Sequence, residues 1–254
     1  MQVTVINLDR DSDRLNHMRG QLGGVPFTRA PAVDGTAIPE TARGLTRFEL
    51  ACLASHRNAW RLFLDTPDAH ACFLEDDLHI RPGFEALVDD GAWVPPDAHA
   101  VKIDTYLQKV KLGARRTILG ERQVARLYSR HESSAAYVLS RAGAERYLEL
   151  TARPTLPADY ALFPKNARRL GLRIYQLLPA VAIQDHLLPA AEGGRTFATA
   201  MNAGGPARPR RRSFFDKILH EGARLAGQAS ELTETIWLEM VLKPETTVVP
   251  VQQL

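Results

Sequence analysis

The chain has 254 residues, enough for one good-sized core with an appendage. Hydrophobic residues make up 45% and charged residues 24%, with a formal net charge of +3, which excludes a disordered or fibrous chain and gives no basis for a nucleic-acid partner. Two cysteines, Cys52 and Cys72, make no disulfide framework and have no His or Cys at zinc-finger spacing, so a reduced, cytoplasmic setting is expected.

Met1 to Leu8 reads as a buried strand rich in Val and Ile, and the polar DRDSDR after it opens a helix. This opening has no basic start followed by a long apolar run, so no signal peptide is expected. No segment approaches the ~20 apolar residues needed to cross a bilayer. VPFTRAPAVDG reads as a second strand closing at the Asp34-Gly35 turn pair. TRFELACLASHRNAWRLFLD predicts a helix on which Glu49, Leu53, His56, Trp60 and Phe63 share one face. HACFLED follows as a strand, GFEALVDDGA as a helix, AHAVKID as a strand ending in an acid, AAYVLS as a strand and RAGAERYLELTA as a helix. LRIYQLLPAVAIQ supplies the last strand-like material. Strands alternating with helices predict an α/β domain over residues 1–195. Small residues, Gly, Pro and Arg mark a linker over 196–212, and 213–254 reads as an amphipathic helical segment.

Glu75, Asp76 and Asp77 are consecutive carboxylates directly after the apolar Phe73 and Leu74. Adjacent like charges raise one another's pKa, so something must offset their repulsion: a divalent cation, or water around an exposed loop. Asp9, Asp34 and Asp104 also fall just past predicted strands, and open α/β sheets present ligands at strand carboxyl ends. Such a cluster suits Mg²⁺ or Mn²⁺, with phosphate oxygens completing the coordination. Asp9 and Asp34 equally suit capping and turn duty. His56 is either a satisfied core residue or, with Glu49 and Ser55 nearby, the border of a ligand. Gln184, Asp185 and His186 cluster after the last strand, where His186 is a further candidate metal ligand or a surface residue. No G-x-S-x-G elbow, G-x-x-x-x-G-K loop or G-x-G-x-x-G fingerprint occurs. The residues therefore point to a metal-assisted enzyme acting on a phosphorylated substrate.

Five segments in register sharpen this. VINLDRDSDR, ELACLASHRNAW, FLEDDLHI, ESSAAYVLS and LPADY resemble the successive motifs of glycosyltransferase family 25, bacterial lipopolysaccharide-type enzymes related to procollagen galactosyltransferases. The likeness runs through most of the first ~190 residues. Two departures stand out: the family's Gly-Thr is Ser133-Ser134, and Ala158 and Tyr160 flank Asp159 where Val and Trp are commoner.

The resemblance implies a GT-A-like mixed sheet with flanking helices. It also implies inverting transfer of a sugar, galactose from UDP-galactose, to a hydroxyl of an oligosaccharide or lipid-linked acceptor. On this reading Glu75, Asp76, Asp77 and His186 hold Mn²⁺ or Mg²⁺. Asn7, Arg10, Arg14, Asp34, Glu49, Ser55, His56 and Ser134 serve the nucleotide sugar. Asp159 is the expected general base, with Asp185 and Asp104 in reserve, although Asp159 also suits a helix cap. A metal-dependent phosphoesterase and a non-catalytic sugar-nucleotide-binding relative are the alternatives.

Residues 206–224 place Arg208, Arg210, Arg211, Arg212, Lys217 and Arg224 against only Asp216 and Glu221, among Phe214, Phe215, Ile218 and Leu219. Basic residues on an apolar helix suit an anionic membrane surface, here the cytoplasmic face of the inner membrane. Packing on the main domain or on a second subunit is the rival expectation.

Overall fold

The structure, a computed structural model, describes residues 1–39, 44–194, 196–197 and 238–253. Eleven strands are described: β1 (Gln2–Asn7), β2 (Thr28–Pro31), β3 (His70–Glu75), β4 (Leu78–Ile80), β5 (Ala100–Lys102), β6 (Lys109–Thr117), β7 (Gln123–Leu127), β8 (Ala136–Ser140), β9 (Ile174–Leu178), β10 (Ala182–Gln184) and β11 (Glu245–Val248). The described α-helices are α1 (Ser12–Leu22), α2 (Arg47–Leu64), α3 (Phe84–Asp89), α4 (Arg141–Leu150) and α5 (Ala158–Leu162).

Nine strands form one mixed sheet in the order β11-β6-β7-β9-β5-β8-β3-β1-β2, and β4 pairs with β10 in a small second sheet. β3 lies parallel to β1 and antiparallel to β8, and its residues Ala71 to Leu74 are fully buried. A strand covered on both faces reads as a continuous apolar run rather than an alternating one, and ACFL is such a run.

Helices α2, α4 and α5 cover one face through a core of Trp60, Phe63, Phe73, Tyr137, Tyr147 and Phe163. Met18, Leu22, Phe84 and Leu87, from α1 and α3, sit in the core of the opposite face. Helix α2 starts where its sequence says it must. Thr46 accepts from the Glu49 N–H while the Glu49 carboxylate accepts from the Thr46 N–H, a capping box that satisfies two orphan donors at once. Its predicted stripe of Leu53, His56, Trp60 and Phe63 is buried.

Because β1, β2, β3 and β5 run the same way, their carboxyl ends meet along one edge of the sheet. The antiparallel β8 brings its leading residues, Ser133 to Ala135, to that same edge. The mixed sheet with flanking helices is the architecture expected.

Three elements differ from the sequence reading. LRIYQLLPAVAIQ is two strands in two sheets, β9 and β10, because Pro179 cannot continue the ladder. The stretch between Asp104 and Ser133, which shows no strand or helix pattern in sequence, contains the β6–β7 hairpin. The expected helix over 213–254 does not extend to its end: residues 245–248 are β11, antiparallel to β6, and Val249 is fully buried. The basic segment 206–224 and its apolar stripe lie outside the described residues.

Candidate active site

The carboxyl edge holds two clefts that share a floor. The first, about 700 Å³ including its open mouth, is lined by Asn7, Arg10, Arg14, Asp34, Ser55, His56, Glu75, Asp76 and Asp77 among others. The second, about 1020 Å³ on the same measure, is lined by Glu49, Tyr106, Glu132, Ser133, Ser134, Asp159, Gln184 and His186 among others. Cys52 and Glu75 belong to both.

The three consecutive acids are separated by the chain's turn from β3 into β4. Glu75 ends β3 and accepts from Ser134 Oγ at 2.8 Å and His56 Nε2 at 3.2 Å. Burial pushes its carboxyl up, but the hydrogen bonds from His56 and Ser134 and the nearby Arg14 charge outweigh this and hold it below the usual range. Asp76 turns toward β1 and α1, accepting from Asn7 Nδ2 and Arg14, each at 2.7 Å. Burial dominates there, and Asp76 is pushed up to about 6. Asp77 meets the other arm of the Arg14 guanidinium at 3.1 Å, and burial together with the Glu75 charge raises its pKa. Much of the repulsion is therefore offset by the protein itself. Arg14, in the first turn of α1, forks across both aspartates as only a planar guanidinium can.

Two carboxylate oxygens remain lightly held. Glu75 Oε2 and Asp77 Oδ1 each lie 3.4 Å from the same Gln184 amide nitrogen, so the two oxygens face one point in the cleft. Gln184 reaches them because β10 pairs with β4, placing it opposite Leu78, and because the Asp185 N–H donates to the Asp77 carbonyl at 2.8 Å. This pair, with hard oxygen donors and only a displaceable amide between them, fits Mg²⁺ or Mn²⁺. Asp76 faces away from that point. His186 lines the second cleft, and its Nδ1 is buried without a partner.

The remaining candidates divide clearly. Arg10 pairs with Asp34 at the rim, where Thr36 and Arg10 hold the Asp34 carboxyl below its usual value. Asp34 also accepts from the Thr36 N–H, so it caps a 3₁₀ turn as well as lining the cleft. Ser55 Oγ donates to Ala51 O and accepts from the Val33 N–H, fixing the loop after β2. Glu49 both boxes the start of α2 and lines the second cleft. Asp9 is paired with Arg29.

His56 is nearly fully buried and sits in a chain of polar groups. Trp60 Nε1 donates to Tyr137 Oη at 2.8 Å, and Tyr137 Oη lies 2.7 Å from His56 Nδ1. A carboxylate can only accept, so Nε2–H donates to Glu75, and in the neutral imidazole Nδ1 then accepts from the Tyr137 hydroxyl.

Asp159, in the first turn of α5, lines the second cleft. Burial leads the effects that raise its pKa above the ordinary carboxylate value. The reserves fare differently. Asp104 is fully buried, paired with Lys102 Nζ at 2.7 Å and accepting from Ser133 Oγ at 2.6 Å. Asp185 is buried, held by His79 and the Phe197 N–H. Neither is among the lining residues of the two clefts.

Ser133 has φ +75°, a left-handed conformation that favours glycine. This explains the glycine found there in the resembling family, and Ser133 is held in place by its bonds to Asp104, Lys102 and the Ala135 N–H.

Gln184, Tyr106, Glu132 and Cys52 also line the clefts, beyond the site residues expected from sequence. Gln184 carried a signal, its place in the QDH triplet. Tyr106 and Glu132 flank a hairpin that periodicity did not reveal.

Acids, guanidiniums and two adjoining clefts thus gather at the strand ends. The chain matches the model of glycosyltransferase family 25 (LPS biosynthesis protein) over residues 1–162 and belongs to that family. No curated protein matches it. Among solved structures it is similar to a glycosyltransferase involved in the glycosylation of the major capsid of PBCV-1. That likeness has 8% identity and a TM-score of 0.43, covering 76% of this chain and 96% of the other. It is also similar to the inositol-1-phosphate CTP transferase from T. maritima, at 10% identity and a TM-score of 0.40, covering 76% and 74%. Likenesses this distant carry no argument about function.

Proposed function

We propose that this glycosyltransferase is a metal-dependent, inverting enzyme of the GT-A type. It moves galactose from UDP-galactose to a hydroxyl of a lipopolysaccharide-type or other lipid-linked oligosaccharide. The observation that carries this reading is the pair of clefts meeting at Glu75: guanidiniums and Asn7 line one, and a raised-pKa carboxylate, Asp159, lines the other. In the first cleft Arg10 and Arg14 suit a diphosphate, and Asn7 and Asp34 suit the nucleoside. Glu75 and Asp77 would hold the divalent ion, with His186 within reach. Bound there, Mn²⁺ or Mg²⁺ would neutralise the diphosphate as it leaves. Asp159 takes the acceptor hydroxyl's proton as that oxygen attacks the anomeric carbon from the far side. Tyr106 offers a ring to an acceptor sugar in the second cleft.

Turnover of UDP-galactose with Mn²⁺ tests the proposal. Turnover should require a sugar acceptor, and Asp77→Asn should lower it by about 10²-fold or more. Hydrolysis indifferent to every acceptor would replace the proposal with the phosphoesterase reading. Manganese-dependent UDP binding without turnover on any acceptor would replace it with a non-catalytic one.

None of the described helices is long and apolar enough to cross a membrane. Attachment to the cytoplasmic face of the inner membrane through residues 206–224 rests on their charge and apolar pattern. Since β11, residues 245–248, belongs to the sheet, the test is an internal deletion of 206–237. Equal pelleting of both chains with anionic liposomes ends the membrane idea.

A further inference from the structure

The floor shared by the two clefts holds a donor set of which the proposed transfer chemistry uses only Glu75. Cys52 Sγ, a nitrogen of His56 and an oxygen of Glu75 all lie within 4.8 Å of one another. A thiol, an imidazole and a carboxylate converging at this range form the mixed soft set that selects zinc over magnesium or manganese. We propose that Cys52, His56 and Glu75 form a second, softer cation site that takes a thiophilic divalent ion of the zinc class and, by occupying Glu75, shuts off the hard-ion site beside it.

The three ligands are rigidly presented. Cys52 and His56 are one turn apart on α2 and therefore share a face, and Glu75 closes β3 with Ser134 bonded to it. Metal-binding imidazoles are oriented by a partner on the other ring nitrogen, and Tyr137 Oη stands 2.7 Å from Nδ1 to fill that part. Cys52 and Glu75 border both clefts, which gives an ion a way in and a water a fourth position.

Without an ion, burial and the Glu75 charge keep the Cys52 thiol neutral. Binding then proceeds with balanced protons. The Cys52 S–H bond breaks and its proton leaves to solvent as the S–metal bond forms. The imidazole changes tautomer, its proton going from Nε2 to Nδ1; the Tyr137 hydroxyl turns its own hydrogen away and accepts a hydrogen bond from Nδ1–H, and the freed Nε2 lone pair binds the metal. One proton is released per ion.

Glu75 is common to this site and to the transfer reading, so the test uses metal alone, without sugar nucleotide. Failure here leaves the proposed transfer standing. Co²⁺ titrated into the full chain should give a thiolate-to-cobalt charge-transfer band with release of one proton per ion bound, and one equivalent of Zn²⁺ should discharge the band with no further proton released. Cys52→Ser should abolish the band and weaken zinc binding by at least about 10²-fold, since even loss of a residue supporting a metal ligand costs 10- to 100-fold. Cys72→Ser should change neither, because Cys72 is fully buried within β3. Asp77→Asn should keep the band, separating this site from the hard-ion pair. Absence of the band or of proton release in the unaltered chain, or a band that survives Cys52→Ser, overturns the proposal.

Discussion

Replacing Ser133 separates two effects that the native chain balances against each other. Its φ of +75° costs a side-chain-bearing residue roughly 1–2 kcal/mol. Against that, Ser133 Oγ donates to the buried Asp104 carboxylate at 2.6 Å and accepts from the Ala135 N–H at 3.1 Å. A hydrogen bond to a charged group contributes about 1.5–3 kcal/mol and a neutral one about 0.5–1.5 kcal/mol. Ser133→Ala loses both bonds and keeps the strain, so it should destabilise the protein by about 2–4 kcal/mol. Ser133→Gly loses the same bonds but releases the strain, less about 0.5–1 kcal/mol of extra chain entropy. It should therefore be more stable than the alanine variant by about 1 kcal/mol. Urea unfolding with an unchanged m-value measures both. A glycine variant no more stable than the alanine variant would show that the left-handed turn carries no strain, and the explanation of Ser133 by its backbone would fall.

Asp159→Asn should lower kcat/KM by about 10²-fold or more, the usual contribution of a general base. The base acts deprotonated and burial raises its pKa, so the native rate should climb with pH through a value above 3.8, and this limb should vanish in the variant. A limb unchanged by the substitution would remove Asp159 from that role. Arg14→Ala strands Asp76 and Asp77 without their shared counter-charge and should cost about 3 kcal/mol, the lower end for a broken buried pair, in the same unfolding assay. Adding Asp76→Asn should recover part of that loss. Gly143→Ala would put a methyl 2.0 Å from the His99 carbonyl oxygen and should cost at least about 1–3 kcal/mol by overpacking the contact of α4 with the loop before β5.

Helix α2 was legible to its caps, because a capping box and a 3.6-residue stripe are local signals. The strand-end acids were legible too, since the apolar run before Glu75 ends where the chain must leave the buried sheet. What the acids do to one another was not. Arg14 is 62 residues from Asp76, and nothing near either says that a guanidinium from α1 will fork across the pair. Asp104 shows the same limit from the other side. In sequence it is one more acid past a strand, and only the packing of Lys102 beneath Phe163 reveals that it is spent on a buried ion pair. The β6–β7 hairpin escaped because its outer half, GARRT, has no alternation to display, being exposed along most of its length.

Strand β11 closes the outer edge of β6 from the far end of the chain, and this bears on how the protein is made. As the nascent polypeptide leaves the ribosome, β6 emerges long before its partner, with a row of amide and carbonyl groups open to any neighbouring strand. Lys109, Lys111, Arg115 and Arg116 stud that row with like charge. Two half-synthesised copies on one messenger RNA would repel each other there until β11 arrives to seal the seam.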